Sequence, residues 1–325
     1  MTKFLRTAVL LITAATAFQG AQAQDPHFSQ YYVYPSWMNP ALTGVFDGSY
    51  RASAIHRRQW GNISSPFSTI GASVDVNTNK NASFGVNLLN QRAGDGGYNY
   101  TTAYASMGYH GVRFGADGHH RISMGFSLGL IQRGFDPSKL SFSDGAENFA
   151  RSTVRSFDAN VGIMYFDAQP GKKANLFGGF SVSHLTKPTQ EKFIESGASA
   201  KEKMPMRYTA HAGVRLALSE TFTLTPNLLY MRQGDAEEKM IGAYAQLKAS
   251  EEADVMLGAN YRFKDAISPY AGVGYKQLVI GLSYDINNSD LGKTAKGSNA
   301  FEISLTFTGL RKQKTPDVDF ICPRL

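Results

Sequence analysis

Large apolar residues recur at every second position in one short segment after another along this chain, and that period of two limits what it can fold into. In Phe301-Glu302-Ile303-Ser304-Leu305-Thr306-Phe307 the large apolar side chains share one face of an extended strand, while Glu302, Ser304 and Thr306 share the other. Ile122, Met124, Phe126, Leu128 and Leu130 alternate in the same way with Ser123, Gly125, Ser127 and Gly129. So do Tyr208, Ala210, Ala212, Val214 and Leu216 with Thr209, His211, Gly213 and Arg215. A helix would scatter each set around its circumference. Strands are therefore predicted over 48–57, 66–76, 82–91, 98–114, 120–132, 154–166, 174–184, 206–218, 221–231, 238–248, 253–263, 267–276, 278–286 and 298–308.

Several of these segments are near the ~9–11 residues that cross a bilayer at a tilt. An even number of antiparallel strands closed on itself leaves no backbone donor or acceptor unpaired in lipid. The connections also sort by length. Those at 77–81, 115–119, 167–173, 219–220, 249–252 and 277 are short, and those at 133–153, 185–205 and 287–297 are long, as periplasmic turns and extracellular loops are. A soluble two-sheet sandwich gives no reason for such sorting. The 21 Phe, 16 Tyr and 32 Gly, with a negative mean hydropathy, suit aromatic girdles around a hydrated interior. The expected fold class is all-β, a transmembrane antiparallel β-barrel of about 14 strands in the bacterial outer membrane.

Lys3 and Arg6, the apolar stretch from Ala8 to Ala17, and Ala21-Gln22-Ala23 form the three parts of an export signal, so 1–23 reads as a cleaved signal peptide. Position 24 is Gln and not Cys, which gives no sign of a lipid-anchored N-terminus, and no other long apolar run suggests a helical anchor. The barrel domain is expected over 48–308. Residues 24–47 and 309–325 lie outside the strands and are both expected on the periplasmic side. The first of these is too rich in Tyr, Trp, Pro and Asn for a disordered linker; it would pack on the rim or enter the lumen, as a plug or as a docking surface.

Most polar motifs reduce to structure. Asp75, Asn77 and Asn79 have calcium-loop spacing, but Lys80 stands where that loop needs Gly and Val86 where it needs Glu. His119-His120 fall in a predicted turn without metal partners, and the single Cys322 can form neither an intramolecular disulfide nor a zinc site. Neither metal nor cofactor is expected. Positive charge is spread along the chain without basic clusters, which gives no sign of nucleic-acid binding. Catalysis is not expected either, because the strand histidines His211 and His56 read as sharing faces with polar lumen residues. Arg51, Asn87, Asn160, His211, Arg215, Asn260, Arg262, Asp285 and Glu302 all read as lumen-lining. In a narrow barrel filled by side chains, they would form a paired network that holds its shape; the other reading is a lining that receives a strand or solute.

Gln24-Asp25-Pro26-His27-Phe28-Ser29-Gln30-Tyr31-Tyr32, followed by Asn39-Pro40-Ala41-Leu42-Thr43-Gly44, resembles the opening signature of the PorP/SprF family of Bacteroidetes type IX secretion and gliding. The resemblance continues through Tyr50-Arg51, Arg58-Gln59-Trp60, Ser65-Pro66-Phe67 and Ser283-Tyr284-Asp285-Ile286-Asn287 to Cys322-Pro323-Arg324-Leu325. It implies a barrel in outer-membrane lipid whose periplasmic side works with the ring and motor proteins of the secretion system, or which retains a large secreted adhesin. On that reading the N-terminal segment and the tail form one periplasmic surface. Its partner-binding anchors would be Asp25, Phe28, Gln30, Tyr31, Trp37, Asn39, Pro40 and Trp60, with Cys322 and Pro323 in the tail.

The sequence thus points to a non-enzymatic interaction and anchoring barrel. The alternative is a porin-like or hydrophobic-solute channel with the N-terminal segment as its hatch. An outer-membrane hydrolase has only scattered Ser and His residues in its favour.

Overall fold

The alternating segments pair edge to edge into a closed cylinder. A computed structural model of the chain describes residues 25–61, 66–78, 80–94, 97–115, 117–136, 138, 153–190, 202–289 and 299–309. The strands are β1 (Tyr50–Gln59), β2 (Phe67–Asn77), β3 (Ala82–Ala93), β4 (Tyr98–Phe114), β5 (His120–Gly134), β6 (Thr153–Asp167), β7 (Ala174–Ser183), β8 (Thr189–Gln190), β9 (Glu202–Lys203), β10 (Arg207–Ala217), β11 (Phe222–Gln233), β12 (Ala236–Lys248), β13 (Ala253–Arg262), β14 (Ala266–Tyr275), β15 (Leu278–Asn287) and β16 (Ala300–Gly309). All except β8 and β9 form one antiparallel barrel, closed where β1 pairs with β16 from Tyr50↔Gly309 to Gln59↔Ala300. The fourteen predicted segments are the fourteen barrel strands, with ends displaced by a few residues. The two-residue ribbon of β8 and β9 lies within a segment read as loop.

Burial follows the alternation. In β14, buried Ala266, Ser268 and Tyr270 alternate with exposed Ile267, Pro269 and Ala271. Outward-facing Ile70, Val74, Phe84, Leu128, Leu257 and Val273 build an apolar belt, which is stable only against lipid. The buried face is the lumen, and much of it is polar.

One rim carries the short turns between β2 and β3, β4 and β5, β6 and β7, β10 and β11, β12 and β13, and β14 and β15. The other carries the long connections 135–152, 184–206 and 288–299, and so faces the cell exterior. The sorting is looser than the sequence suggested, because 234–235 and 263–265 are short turns on this outer rim. His120 is likewise no turn residue. It opens β5, its ring stacks on Phe114 at 5.3 Å, and it hydrogen-bonds the Tyr165 hydroxyl.

The N-terminal segment fills the cylinder. It consists of a 3-10 turn (Tyr31–Val33), the one-turn helix α1 (Pro35–Met38) and a second 3-10 turn (Pro40–Leu42). Pro35 and Pro40 sit where a helical turn begins, so the amide that proline lacks is not missed. Glycines on the lumen wall make room for this chain. A Cβ on Gly125 would lie 2.3 Å from the Pro40 carbonyl carbon, and one on Gly162 would lie 2.0 Å from Asn39 Oδ1. The plug enters at the turn rim, where the Ser49 amide donates to the Gly309 carbonyl and the Asn77 amide donates to that of Ser49. It then climbs until the Asp25 amide meets Gln233 at the outer end of β11. Asp25 therefore lies in the outer half of the lumen and does not face the periplasm.

Candidate functional site

Nearly every polar group of the plug meets a complementary group on the wall, and the contacts gather into three ion-paired knots. At the turn-side end, Arg51 of β1 grips Asp75 of β2 in a bidentate pair, Nε to Oδ1 at 3.0 Å and Nη2 to Oδ2 at 2.7 Å. The Gly44 amide of the plug donates to the same carboxylate at 2.8 Å, and the Arg51 guanidinium lies over the Phe46 ring.

The second knot is centred on Ser29 of the plug. Its hydroxyl donates to Asp285, and Arg57 and Arg262 donate to it at 2.9 and 3.0 Å. Arg57 also pairs with Asp285 at 2.7 Å and with Glu302, and Arg262 pairs with Asp285 at 2.8 Å. Glu302 accepts the backbone amides of Ser29 and Gln30 at 2.7 and 2.9 Å. Two guanidinium groups from β1 and β13 thus face the buried carboxylates of Asp285 and Glu302 on β15 and β16, with plug backbone completing their shells, and Arg262 also pairs with the half-exposed Asp265 in the turn after β13. Nearby, His27 lies 3.5 Å from Glu238. Burial, with Arg262 and Arg57 close by, pushes the His27 imidazole well below its ordinary range, so that contact joins a neutral ring to the acid.

The third knot lies near the outer rim. His184 follows β7 in a left-handed conformation, φ 61°, which turns the chain and aims its ring inward. Its Nε2 lies 2.6 Å from Asp25 and its Nδ1 2.7 Å from Asp158. Burial alone would lower the His184 pKa, but the two carboxylates overcome it and hold it at about 9, so the imidazolium donates to both. Burial opposes ionisation of Asp25 too, yet His184 and Arg207 keep that carboxyl well below its usual range. Arg207 reaches Asp25 at 3.1 Å, donates to the Trp37 carbonyl at 3.0 Å, and lies over the Trp37 ring at 5.0 Å.

Neutral contacts fill the space between the knots. Asn39 caps the following turn by accepting the Ala41 amide, donates to the Ile163 carbonyl, and lies 3.2 Å from His211. Ser181 and Ser123 of the wall donate to the carbonyls of Met38 and Ala41.

Arg51, His211, Arg262, Asp285, Glu302, Asn87, Asn160 and Asn260 are all buried in the lumen, and Arg215 is half-buried on the same face of β10 as His211. His56 is a correction: Ile55 and Arg57 face inward, so His56 faces outward. Asp25, Phe28, Gln30, Tyr31, Trp37, Asn39 and Pro40 are ordered anchors, but they are packed against the inside of the wall and form no exposed periplasmic surface. Trp60 sits at the opposite rim from that expected, with φ 57° after β1 and its ring edge-on to Phe67. Cys322 and Pro323 lie outside the described residues. Arg57, Ser29, His184, Asp158, Arg207 and Asp75 escaped the sequence reading. For Arg57, Asp75, Asp158 and Arg207 the one signal was parity, since Arg57 shares a face with Arg51 and Asp158 with Asn160; Ser29 and His184 lie outside the strands and had none.

The cavities described between plug and wall are small. One of about 40 Å³ is lined by Tyr31, Met38, Leu42, Met164, Phe166 and Phe177; others of about 20 and 10 Å³ adjoin Asp25 and Ser36.

A fourteen-strand cylinder with a lipid-facing belt and an ion-paired N-terminal plug defines an outer-membrane β-barrel of the internally stoppered kind. The model of the type IX secretion system membrane protein PorP/SprF family matches residues 20–307, and the chain belongs to that family. No curated protein matches it. Among solved structures it is similar to the toluene transporter TbuX of Ralstonia pickettii, with 10% identity, 84% of this chain and 92% of that chain covered, and a TM-score of 0.52. It is also similar to the toluene transporter TodX of P. putida (10%, 84% and 93%, 0.50) and to the monoaromatic hydrocarbon channel CymD (11%, 86% and 94%, 0.50). At such identities the likeness is one of fold.

Proposed function

We propose that this chain is a non-enzymatic component of the type IX secretion machinery, joining its periplasmic ring and motor proteins to the outer membrane or retaining a secreted adhesin at the surface. The observation that carries this reading is the plug. Three ion-paired knots sew it to the wall from the turn rim to the outer rim, which suits a rigid membrane anchor better than a conduit. The test is a tagged pull-down from detergent-solubilised outer membranes, with mass spectrometry of what co-elutes. Ring or motor proteins would support the coupling role and one giant adhesin the anchoring role; a barrel that elutes alone would count against both.

A second reading, a channel for small hydrophobic solutes, draws on the apolar cavity beside Met38 and Phe166 and on the fold shared with toluene transporters. Magnitude argues against it for this state. A cavity of about 40 Å³ is far below the ~150 Å³ that accommodates benzene. Conductance or aromatic-solute flux through the intact barrel in planar bilayers would favour the channel.

A further inference from the structure

The outward face of the barrel is not uniform around its circumference. On β1 to β6, pairing aligns Ala54, Ala72, Leu88, Ala103, Leu130 and Phe157 in one apolar row. The next outward-facing row toward the exterior runs His56, Ile70, Asn90, Thr101, Gln132, Arg155, and the one beyond it Arg58, Ser68, Arg92, Asn99. The surface thus passes from hydrocarbon-like to largely polar within a single row, Ile70 being the one apolar side chain in it, and to fully polar and cationic in the next. No carboxylate stands in either polar row. On the wall from β12 to β15, by contrast, Ile241, Tyr261, Ile267 and Ile286 form a register row that is apolar close to the outer rim.

The polar rows are also connected. Asn90 Nδ2 donates to Asn99 Oδ1 at 3.0 Å and to Thr101 Oγ1 at 2.7 Å, Arg155 Nε donates to Gln132 at 2.8 Å, and His56 Nε2 lies 3.1 Å from the Ser68 hydroxyl. Arg58 and Arg92 flank Ser68 two strands apart, about 10 Å from the inter-strand spacing, close enough for both guanidinium groups to converge on one tetrahedral anion. Ordinary interfacial arginines would snorkel singly around the girdle. Here three are confined to one arc, set among hydrogen-bonded amides and hydroxyls above an apolar row.

We propose that this arc is a binding site for a phosphorylated lipid of the outer leaflet. Its acyl chains lie on Leu88, Leu130 and Phe157, and Arg58 and Arg92 hold its headgroup phosphate, while Arg155, three strands beyond Arg92, lines the far edge of the arc. Charge complementarity and continuity with the lipid-facing belt select this occupant, since a soluble anion would have no use for the apolar row beneath.

The test is native mass spectrometry of the full barrel in non-ionic detergent, titrated with lipid A carrying its phosphates and, separately, with dephosphorylated lipid A. Wild type should retain one phosphorylated lipid. Removing the lipid's phosphates, or making the Arg58→Gln/Arg92→Gln double variant, should weaken retention at least about tenfold, as loss of paired charge-assisted contacts does. Arg155→Gln alone should weaken it less. An Arg232→Gln/Lys239→Gln control, which removes two exposed cations from β11 and β12, should bind like wild type. Unchanged heat-modifiability on gels verifies that each variant is folded. Equal weakening in the control, equal retention of both lipids, or displacement of the lipid by inorganic phosphate alone would overturn the proposal.

Discussion

Ser29 is a small, unremarkable residue in the sequence, yet its hydroxyl touches both arginines and one carboxylate of the central knot. Nothing local announces this, because its partners lie at 57, 262 and 285 and come together only when the barrel closes. Arg57 was hidden differently: it stands between His56 and Arg58, and three polar residues in a row blur the alternation. Removing it should be costly. Arg57→Gln leaves Glu302 without its ion-pair partner and Asp285 with Arg262 alone, which Asp265 also engages, and breaking a buried pair in this way typically destabilises by about 3–5 kcal/mol. In a Trp60→Phe background Trp37 is the remaining tryptophan, so its quenching by acrylamide reports plug release; it should rise in Arg57→Gln and stay low in the parent. His184 gives a pH dependence at the opposite end of the plug. Its pKa rises from 6.5 to about 9 on docking, so its contribution is complete below about pH 6.5 and is lost as pH climbs through 9. That contribution is ~3 kcal/mol at most. Asp25 acts in the opposite sense, with a lowered pKa whose benefit is present above the ordinary 3.8 and is lost only in strong acid. Trp37 quenching should therefore be flat from pH 5 to 6.5 and increase toward pH 9, and His184→Gln should abolish the rise; a flat wild-type profile would remove the imidazolium from this role.

Strands were the most legible level, for a reason specific to membrane barrels. Lipid on one face and a packed, hydrogen-bonding lumen on the other impose the period of two on every strand, so β5, β14 and β16 can be read almost to the residue. The plug has no such periodicity. Its turns are set by Pro35, Pro40 and Asn39 and by contacts with distant strands, so the sequence indicated that residues 24–47 are ordered but not how far they climb. The wall glycines were visible only as polar-face members of strands, although several exist to let the plug backbone approach. Gly125→Val tests that function at the level of an element. Its side chain would meet the Pro40 carbonyl and Ala41 amide, backbone groups that cannot swing away, while Val remains a good strand residue. The barrel should still insert and resist heat on gels, but the plug should become accessible to protease. A plug as protected as in wild type would mean that the two backbones are not pressed together.

At the scale of the whole molecule, the plug distinguishes an anchor from a channel, because the two make opposite demands on it. A channel must move or rearrange residues 25–47 to pass solute through the described lumen, where the cavities of about 40, 20 and 10 Å³ beside them are far smaller than the ~150 Å³ that accommodates benzene. An anchor has no such need and gains from rigidity. Thr43 Oγ1 and Ser106 Oγ lie 3.1 Å apart across the plug–wall boundary, which suits a disulfide bridge between Thr43→Cys and Ser106→Cys in the oxidising envelope, with Cys322→Ser removing the natural thiol. The bridge fixes the turn-side half of the plug, the part continuous with β1, and leaves the outer surface untouched. On the anchoring reading, cells carrying the oxidised barrel should secrete and display cargo as the reduced ones do, and partner recovery in the pull-down should be equal. Loss of secretion on oxidation, restored by reductant, would mean that plug movement is part of the working cycle and would overturn the rigid-anchor reading.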